Sequence, residues 1–215
     1  MSSAGSELLA IDGRRLGARA QATRQRLLDA TVELLDKEGI LDLKVVDVAR
    51  RVGTSPATFY QYFANVEEAV LALAVAAGEQ IDELIPFVDE PWKGTRALAS
   101  ASALVDGFIA QWDANRAVMR TRDLAAQEGD RRFRDVRIRS LSKITDRLAA
   151  RIEENQALGR VPAEVSPYAA ASALVAMMGR MAAYHDEFES RGVTREDTVR
   201  TVSLILYQTV TGRRP

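Results

Sequence analysis

Along most of the chain apolar residues recur at every third or fourth position, and runs that alternate apolar with polar residues are almost absent. That period lays one apolar stripe along a helix, so the pattern predicts an all-α protein. Leu27, Leu28, Thr31, Leu34 and Leu35 set the first stripe and predict a helix from about Arg19 to Glu38, stopped by Gly39. Val45, Val48, Ala49 and Val52 stand at i, i+3, i+4 and i+7 and predict a second helix from about Val45 to Arg51, ended by Gly53. A short third helix takes Ser55 as its cap and Pro56 as its first residue, and runs to near Phe63. Asn65 can cap a fourth, whose run EEAVLALAVAAGEQIDEL extends to about Leu84. Pro86 and Pro91 then break the chain. Helices over about Lys93–Asp113, Arg116–Gln127 and Asp130–Leu158 follow. After the loop GRVPAEVSP come two more, about Pro167–Ser190 and Thr194–Gly212.

The third helix is unusual in content. TSPATFYQYFANVEE, from Thr54 to Glu68, sets Phe59, Tyr60, Tyr62 and Phe63 within five residues. On a helical wheel Phe59 and Phe63 share one face, Ala57 and Gln61 lie opposite, and Thr58 and Tyr60 flank them. A helix this short is not stable alone, so Phe59 and Phe63 must hold it against the two helices before it. The second helix, a tight turn at Gly53 and this third helix make a helix-turn-helix. Such a unit presents the start of its second helix to the DNA major groove. Gln61 then suits an adenine edge and Ala57 a thymine methyl. The hydroxyls of Ser55, Thr58, Tyr60 and Tyr62 suit phosphate oxygens, which fix register. A small amphipathic helix that merely packs in a bundle fits the same pattern.

Composition narrows the class. With 215 residues, 47% hydrophobic and 27% charged, the chain can bury a sizeable core as a globular protein. No apolar run approaches the ~20 residues of a membrane span, and the N-terminus does not resemble a secretory signal. A cytoplasmic location without membrane association is the expectation. There is no cysteine and only one histidine, His185, so neither a thiolate nor a multi-histidine metal site is expected. Acidic residues lack the paired arrangement of a hydrolase, and no glycine-rich phosphate loop follows a strand. Neither an enzyme nor a cofactor is expected. A net charge of −1 argues against nucleic acid, but its distribution argues the other way. Arg14, Arg15, Arg19, Arg24 and Arg26 stand between Gly13 and Arg26 with no acid among them.

RLLDATVELLDKEG followed by VVDVARRVGTSPATFYQYFANVEEAV resembles the N-terminal domain of the TetR family of bacterial transcriptional regulators. Val48-Ala49, Gly53, Ser55, Phe59, Tyr60, Tyr62, Phe63 and Glu67 match the family pattern in register, over residues 22–75, about a quarter of the chain. Three positions depart from it. Lys44 replaces the usual capping Ser or Thr; Asp42 can substitute as the cap, and Lys44 can instead reach a phosphate. Thr54 replaces an apolar residue, and Val66 replaces a lysine that commonly contacts backbone phosphate. The resemblance implies a flexible basic arm over 1–18 and a helix-turn-helix DNA-binding domain over 19–65. Joined to it through the fourth helix is a larger helical effector-binding and dimerisation domain over 66–215. The implied DNA-binding residues are Lys44, Ser55, Pro56, Ala57, Thr58, Tyr60, Gln61 and Tyr62.

For the larger domain the resemblance implies a homodimer through the last two helices. Their stripes are Leu174, Met177, Met178, Met181, Tyr184, His185 and Phe188, and Val199, Val202, Ile205, Leu206 and Val210; an intramolecular core would read the same. It also implies a small-molecule effector. Phe108, Trp112, Met119, Met177, Met181 and Tyr184 are the candidate lining, since methionine and aromatic side chains make adaptable apolar pockets, although core packing uses them too. The arginine-rich run RRFRDVRIR, Arg131 to Arg139, reads as a solvated helix face with Phe133, Val136 and Ile138 turned inward. The function expected is a ligand-responsive repressor released from a palindromic double-stranded DNA operator by a largely apolar effector. The alternative is a helical small-molecule-binding protein whose DNA-binding head is non-functional.

Overall fold

The computed structural model describes residues 15–92 and 95–213, Thr95 by its backbone alone. The expected arm up to residue 14, with Arg14, and the expected helix start at Lys93 lie outside these residues. The described elements are helical throughout: α1 (Ala18–Glu38), α2 (Val45–Val52), α3 (Pro56–Tyr60), α4 (Val66–Glu79), a 3-10 segment (Gln80–Leu84), α5 (Ile85–Asp89), α6 (Thr95–Ala114), α7 (Arg116–Gln127), α8 (Arg131–Ala157), α9 (Pro167–Glu189) and α10 (Arg195–Thr211). The protein is all-α, with an N-terminal helix-turn-helix and a larger helical C-terminal part.

Several expectations shift. Leu16 is buried and its carbonyl accepts from Gln21 Nε2 at 2.9 Å, so the end of the expected arm is packed. α3 closes at Tyr60, although the Phe63 amide still bonds the Phe59 carbonyl at 3.1 Å. The expected fourth helix tightens at Gln80 into a 3-10 turn. Pro86 does not end a helix; it stands in the first turn of α5, where its missing amide proton costs nothing. Ile138 is 51% exposed rather than turned inward, because Phe133 and Val136 already occupy the buried side of α8.

The chain forms two compact units, one comprising the described residues up to Ala76 with Ala117–Arg134, the other Ala77–Arg116 with the residues from Asp135 onward. In the first, Leu27, Leu28 and Leu35 of α1 and Val48 and Ala49 of α2 are buried with Phe59 and Phe63. Asn65 caps α4 by accepting from the Glu68 amide at 2.8 Å. Arg132, at the start of α8, is held by Asp130 Oδ2 at 2.7 Å and also pairs with Glu68. Its guanidinium holds the Asp130 carboxyl below the usual carboxylate range.

In the second unit α6 packs against α9 and α10. Its buried face carries Ala97, Ala101, Leu104, Val105, Phe108, Ile109 and Trp112. Gly107 brings α6 close to Leu84: a Cβ there would lie under 3.0 Å from Leu84 Cδ2. A charged cluster links α6, α7, α9 and α10. Arg195 donates to Asp106 at 2.9 Å and to Asp113 at 3.2 Å, and Arg116 donates to Asp113 at 2.9 Å and to Asp186. Buried His185 places Nε2 3.0 Å from Asp186. No described helix is long and apolar enough to cross a membrane.

Candidate nucleic-acid interface

The turn between α2 and α3 is built by one glycine. Gly53 adopts φ 75°, ψ 36°, the left-handed region that a side chain resists. Its amide bonds the Arg50 carbonyl at 3.1 Å and the Thr54 amide bonds the Ala49 carbonyl at 2.9 Å. This pair closes α2 and satisfies two of its free carbonyls. The chain then turns into α3, where Ser55 Oγ accepts from the Thr58 amide at 3.3 Å and Pro56 occupies the first helical turn. A hydroxyl that accepts at a cap still has its proton to donate outward. Lys44, at the cap position of α2, makes no side-chain cap bond. The helix-turn-helix is tied to α1 by Arg26, which donates to the Val52 carbonyl at 2.6 Å, and by Glu33, which accepts from Arg51 Nε at 2.9 Å.

α3 has five residues, and what fixes it is aromatic packing. Phe59 is fully buried, edge-on to Tyr60 with ring centroids 6.0 Å apart and tilted against Phe63 at 5.5 Å. With those rings inward, Ser55, Pro56, Ala57, Tyr60 and Gln61 are exposed on the other side, Tyr60 by 52%. Thr58 and Tyr62 are half-buried, and Ser55 Oγ lies 3.2 Å from Thr58 Oγ1. Seven of the eight candidate DNA-binding residues therefore follow one another on and beside α3. Lys44 is exposed at the start of α2.

In sequence Arg24 stands among five arginines from Arg14 to Arg26 that can reach DNA phosphates, inside the first predicted helix. Its position carries a stronger signal: Arg24, Leu27, Leu28 and Thr31 stand at i, i+3, i+4 and i+7, so Arg24 opens the buried stripe of α1. Its guanidinium sits over the Phe63 ring, 5.0 Å from the centroid. Burial pushes its pKa down from the usual arginine value. With Tyr62, Phe63, Glu68, Leu71 and Val75 it lines a groove of ≈ 330 Å³.

The six candidate effector residues divide. Phe108 and Trp112 are buried on α6, one turn apart. Met177, Met181 and Tyr184 are half-buried on α9, and the Arg180 guanidinium covers the Tyr184 ring at 4.2 Å. Met119 is buried on α7, in the first unit. Neither the groove at Arg24 nor a second of ≈ 340 Å³ beside Tyr168 is lined by any of the six. Of the two C-terminal stripes, Leu174, Met178, His185, Val202, Leu206 and Val210 are buried within the single chain. Met177, Met181, Tyr184, Phe188 and Ile205 keep part of their surface exposed.

Residues 27–73 match the family described as bacterial regulatory proteins, tetR family, and residues 82–215 match the family described as tetracyclin repressor-like, C-terminal domain. The HTH-type transcriptional regulator BetI of Brucella anthropi is 29% identical over 97 residues, 41% of this chain and 50% of that protein. The chain thus spans about half the length of the curated relatives it matches. Among solved structures, the fatty acid degradation regulator FadR from Bacillus halodurans superposes with a TM-score of 0.65 at 18% identity, over 93% of this chain and 100% of that one. FadR from Bacillus subtilis, solved in complex with stearoyl-CoA, superposes at 0.63 with 17% identity, over 88% and 99%. At these identities the likeness is one of fold.

Proposed function

Since the chain belongs to the TetR family of bacterial regulatory proteins, we propose that it is a cytoplasmic, ligand-responsive repressor that leaves a palindromic operator when a small, largely apolar effector binds. The observation that carries this reading is the short α3, anchored by buried Phe59 and Phe63 and presenting Ala57, Tyr60 and Gln61 outward. Gln61 reads an adenine edge and Ala57 a thymine methyl. Lys44, Ser55, Thr58, Tyr60 and Tyr62 supply backbone contacts that set register, and Pro56 touches the DNA beside them without a hydrogen bond to give.

One such helix reads too few bases to select a site. A homodimer through α9 and α10 presents two, in successive major grooves about 34–36 Å apart. The half-exposed Met177, Met181, Tyr184, Phe188 and Ile205 are the apolar surface it would cover. The effector occupies the second unit, with Phe108, Trp112, Met177, Met181 and Tyr184 as its candidate lining. The stearoyl-CoA bound by a protein of the same fold supports an effector with a long apolar part. Release requires that the effector bind the DNA-incompetent arrangement more tightly, and it can shift the equilibrium only by that difference.

Selection of duplexes from a random DNA pool at about 0.15 M salt, where non-specific binding is weak, tests the reading. Enrichment of a palindrome with half-sites one helical turn apart is expected. A folded, dimeric protein that enriches no duplex, with or without acyl-CoA, favours instead a helical small-molecule binder with an idle head. Gln61→Ala should flatten base preference at one position of each half-site while leaving non-specific affinity unchanged.

A further inference from the structure

We infer that Arg24 is a DNA-backbone anchor: its guanidinium, stacked on Phe63 and set beside Tyr62, takes one phosphate of the duplex that α3 reads. The inference rests on the DNA-binding reading above and adds a contact from outside the helix-turn-helix.

The argument is one of unmatched charge. Arg24 stands half-buried on α1, and among the described residues no carboxylate pairs with it. Its neighbours on the head are engaged: Arg26 on the Val52 carbonyl, Arg50 with Asp47 and Arg51 with Glu33. Glu68 lines the same groove and is the obvious partner. Arg132 takes it instead, and Asp130 fixes Arg132 in place. The groove therefore keeps one cation without a counter-charge while its one acid is neutralised.

A cation partly stripped of water and given no counter-ion is costly unless an anion arrives. The Phe63 ring, its centroid 5.0 Å from the guanidinium carbon, offsets part of that cost through its π face. The planar guanidinium fork is the geometry that grips a phosphate by two oxygens. The Tyr62 hydroxyl is a second donor on the same groove, and Tyr62 directly follows Gln61 in the segment that faces the DNA. Leu71, Ala72 and Val75 continue the groove with apolar surface, which suits the carbon face of a deoxyribose next to its phosphate.

The test is the salt dependence of duplex binding. Wild type, Arg24→Gln and Arg24→Lys are titrated on the selected duplex and on an unrelated one across a range of salt. Loss of one phosphate contact should reduce the slope of log K against log salt by about 0.9 per subunit bound. Arg24→Gln should show that reduction and weaken both duplexes by the same factor. Arg24→Lys, which keeps the charge, should retain the wild-type slope. An unchanged slope in Arg24→Gln overturns the inference while leaving the DNA-binding reading intact. Equal loss in both variants with equal lowering of melting temperature makes Arg24 a packing residue and also overturns it. A wild type that binds no duplex removes the DNA-binding reading and this contact with it. Inorganic phosphate serves as the remaining probe: thermal stabilisation by it that disappears in Arg24→Gln, with the DNA slope unchanged, assigns the site to a free anion instead.

Discussion

Gly107 and Gly179 both lie inside long helices, α6 and α9, and replacing each by alanine should have opposite effects. In a helix interior alanine is better than glycine by about 1 kcal/mol. At Gly179 a new Cβ meets nothing within 4 Å, so that gain should be realised. At Gly107 the Cβ would approach Leu84 Cδ2 closer than 3.0 Å, with Cδ1 and Cγ at 3.5 Å. An ordinary carbon–carbon contact is about 3.5–4.0 Å, so something must move by at least about half an ångström. Leu84 is only 7% exposed and has no solvent side to swing into. Overpacking of this kind costs about 1–3 kcal/mol. Gly107→Ala should therefore lie between neutral and about 2 kcal/mol destabilised, and should melt roughly 2–12 °C below Gly179→Ala. Thermal unfolding followed by far-UV circular dichroism measures the difference. Leu84→Ala should cost about 1–3 kcal/mol less in the Gly107→Ala background than in wild type, because it removes the obstruction. A Gly107→Ala protein as stable as Gly179→Ala, or additivity within about 0.5 kcal/mol, would refute the steric reasoning. A drop in melting temperature for Gly179→Ala would mean that a second copy packs against that face of α9.

Phe59→Ala empties the centre of the head and should cost about 3–5 kcal/mol. Duplex binding should be lost while the second unit still melts as in wild type; retained affinity would contradict the anchoring role given to Phe59. Gly53→Ala places a side chain in the left-handed region, and should destabilise by about 1–2 kcal/mol. Gly53→Asn should lose less in chemical denaturation, and equal losses would show that the turn does not depend on that backbone angle. The Arg116 hydrogen bond holds the Asp186 carboxyl below its ordinary value, so the pair's stabilisation is present above the unfolded carboxylate pKa of about 3.9 and fades as pH falls through the lower folded value. Asp186→Asn should therefore lower the melting temperature slightly near neutrality, with the two proteins converging as pH falls below about 4; parallel curves for the two proteins would contradict this linkage.

The helices and the reading head were legible because their causes are local. The i, i+3, i+4 stripes marked α1, α2, α7 to α10 and the end of α6 to within a residue or two. Gly39, Gly53 and Ser55 announced their own turns through backbone freedom and capping. Phe59 and Phe63 could be assigned inward from a five-residue stretch, since no other arrangement hides both rings on so short a helix. What failed was also local in origin. Ile138 shares its helical period with Phe133 and Val136 only loosely, and period alone does not say where an apolar stripe ends. Pro86 could end one helix or begin the next, and the difference rests on which carbonyls need a partner.

Sequence by itself determined an all-α chain, a helix-turn-helix with Phe59 and Phe63 turned inward, and the residues on its outer face. These follow from periodicity, caps and a left-handed glycine, each set within a few residues. Only the tertiary structure decided that Glu68 belongs to Arg132, from a helix sixty-four positions later, and that Arg24 is left over Phe63 with no carboxylate among the described residues. Which charges meet depends on helices brought together across the fold, and no spacing along the chain encodes that choice.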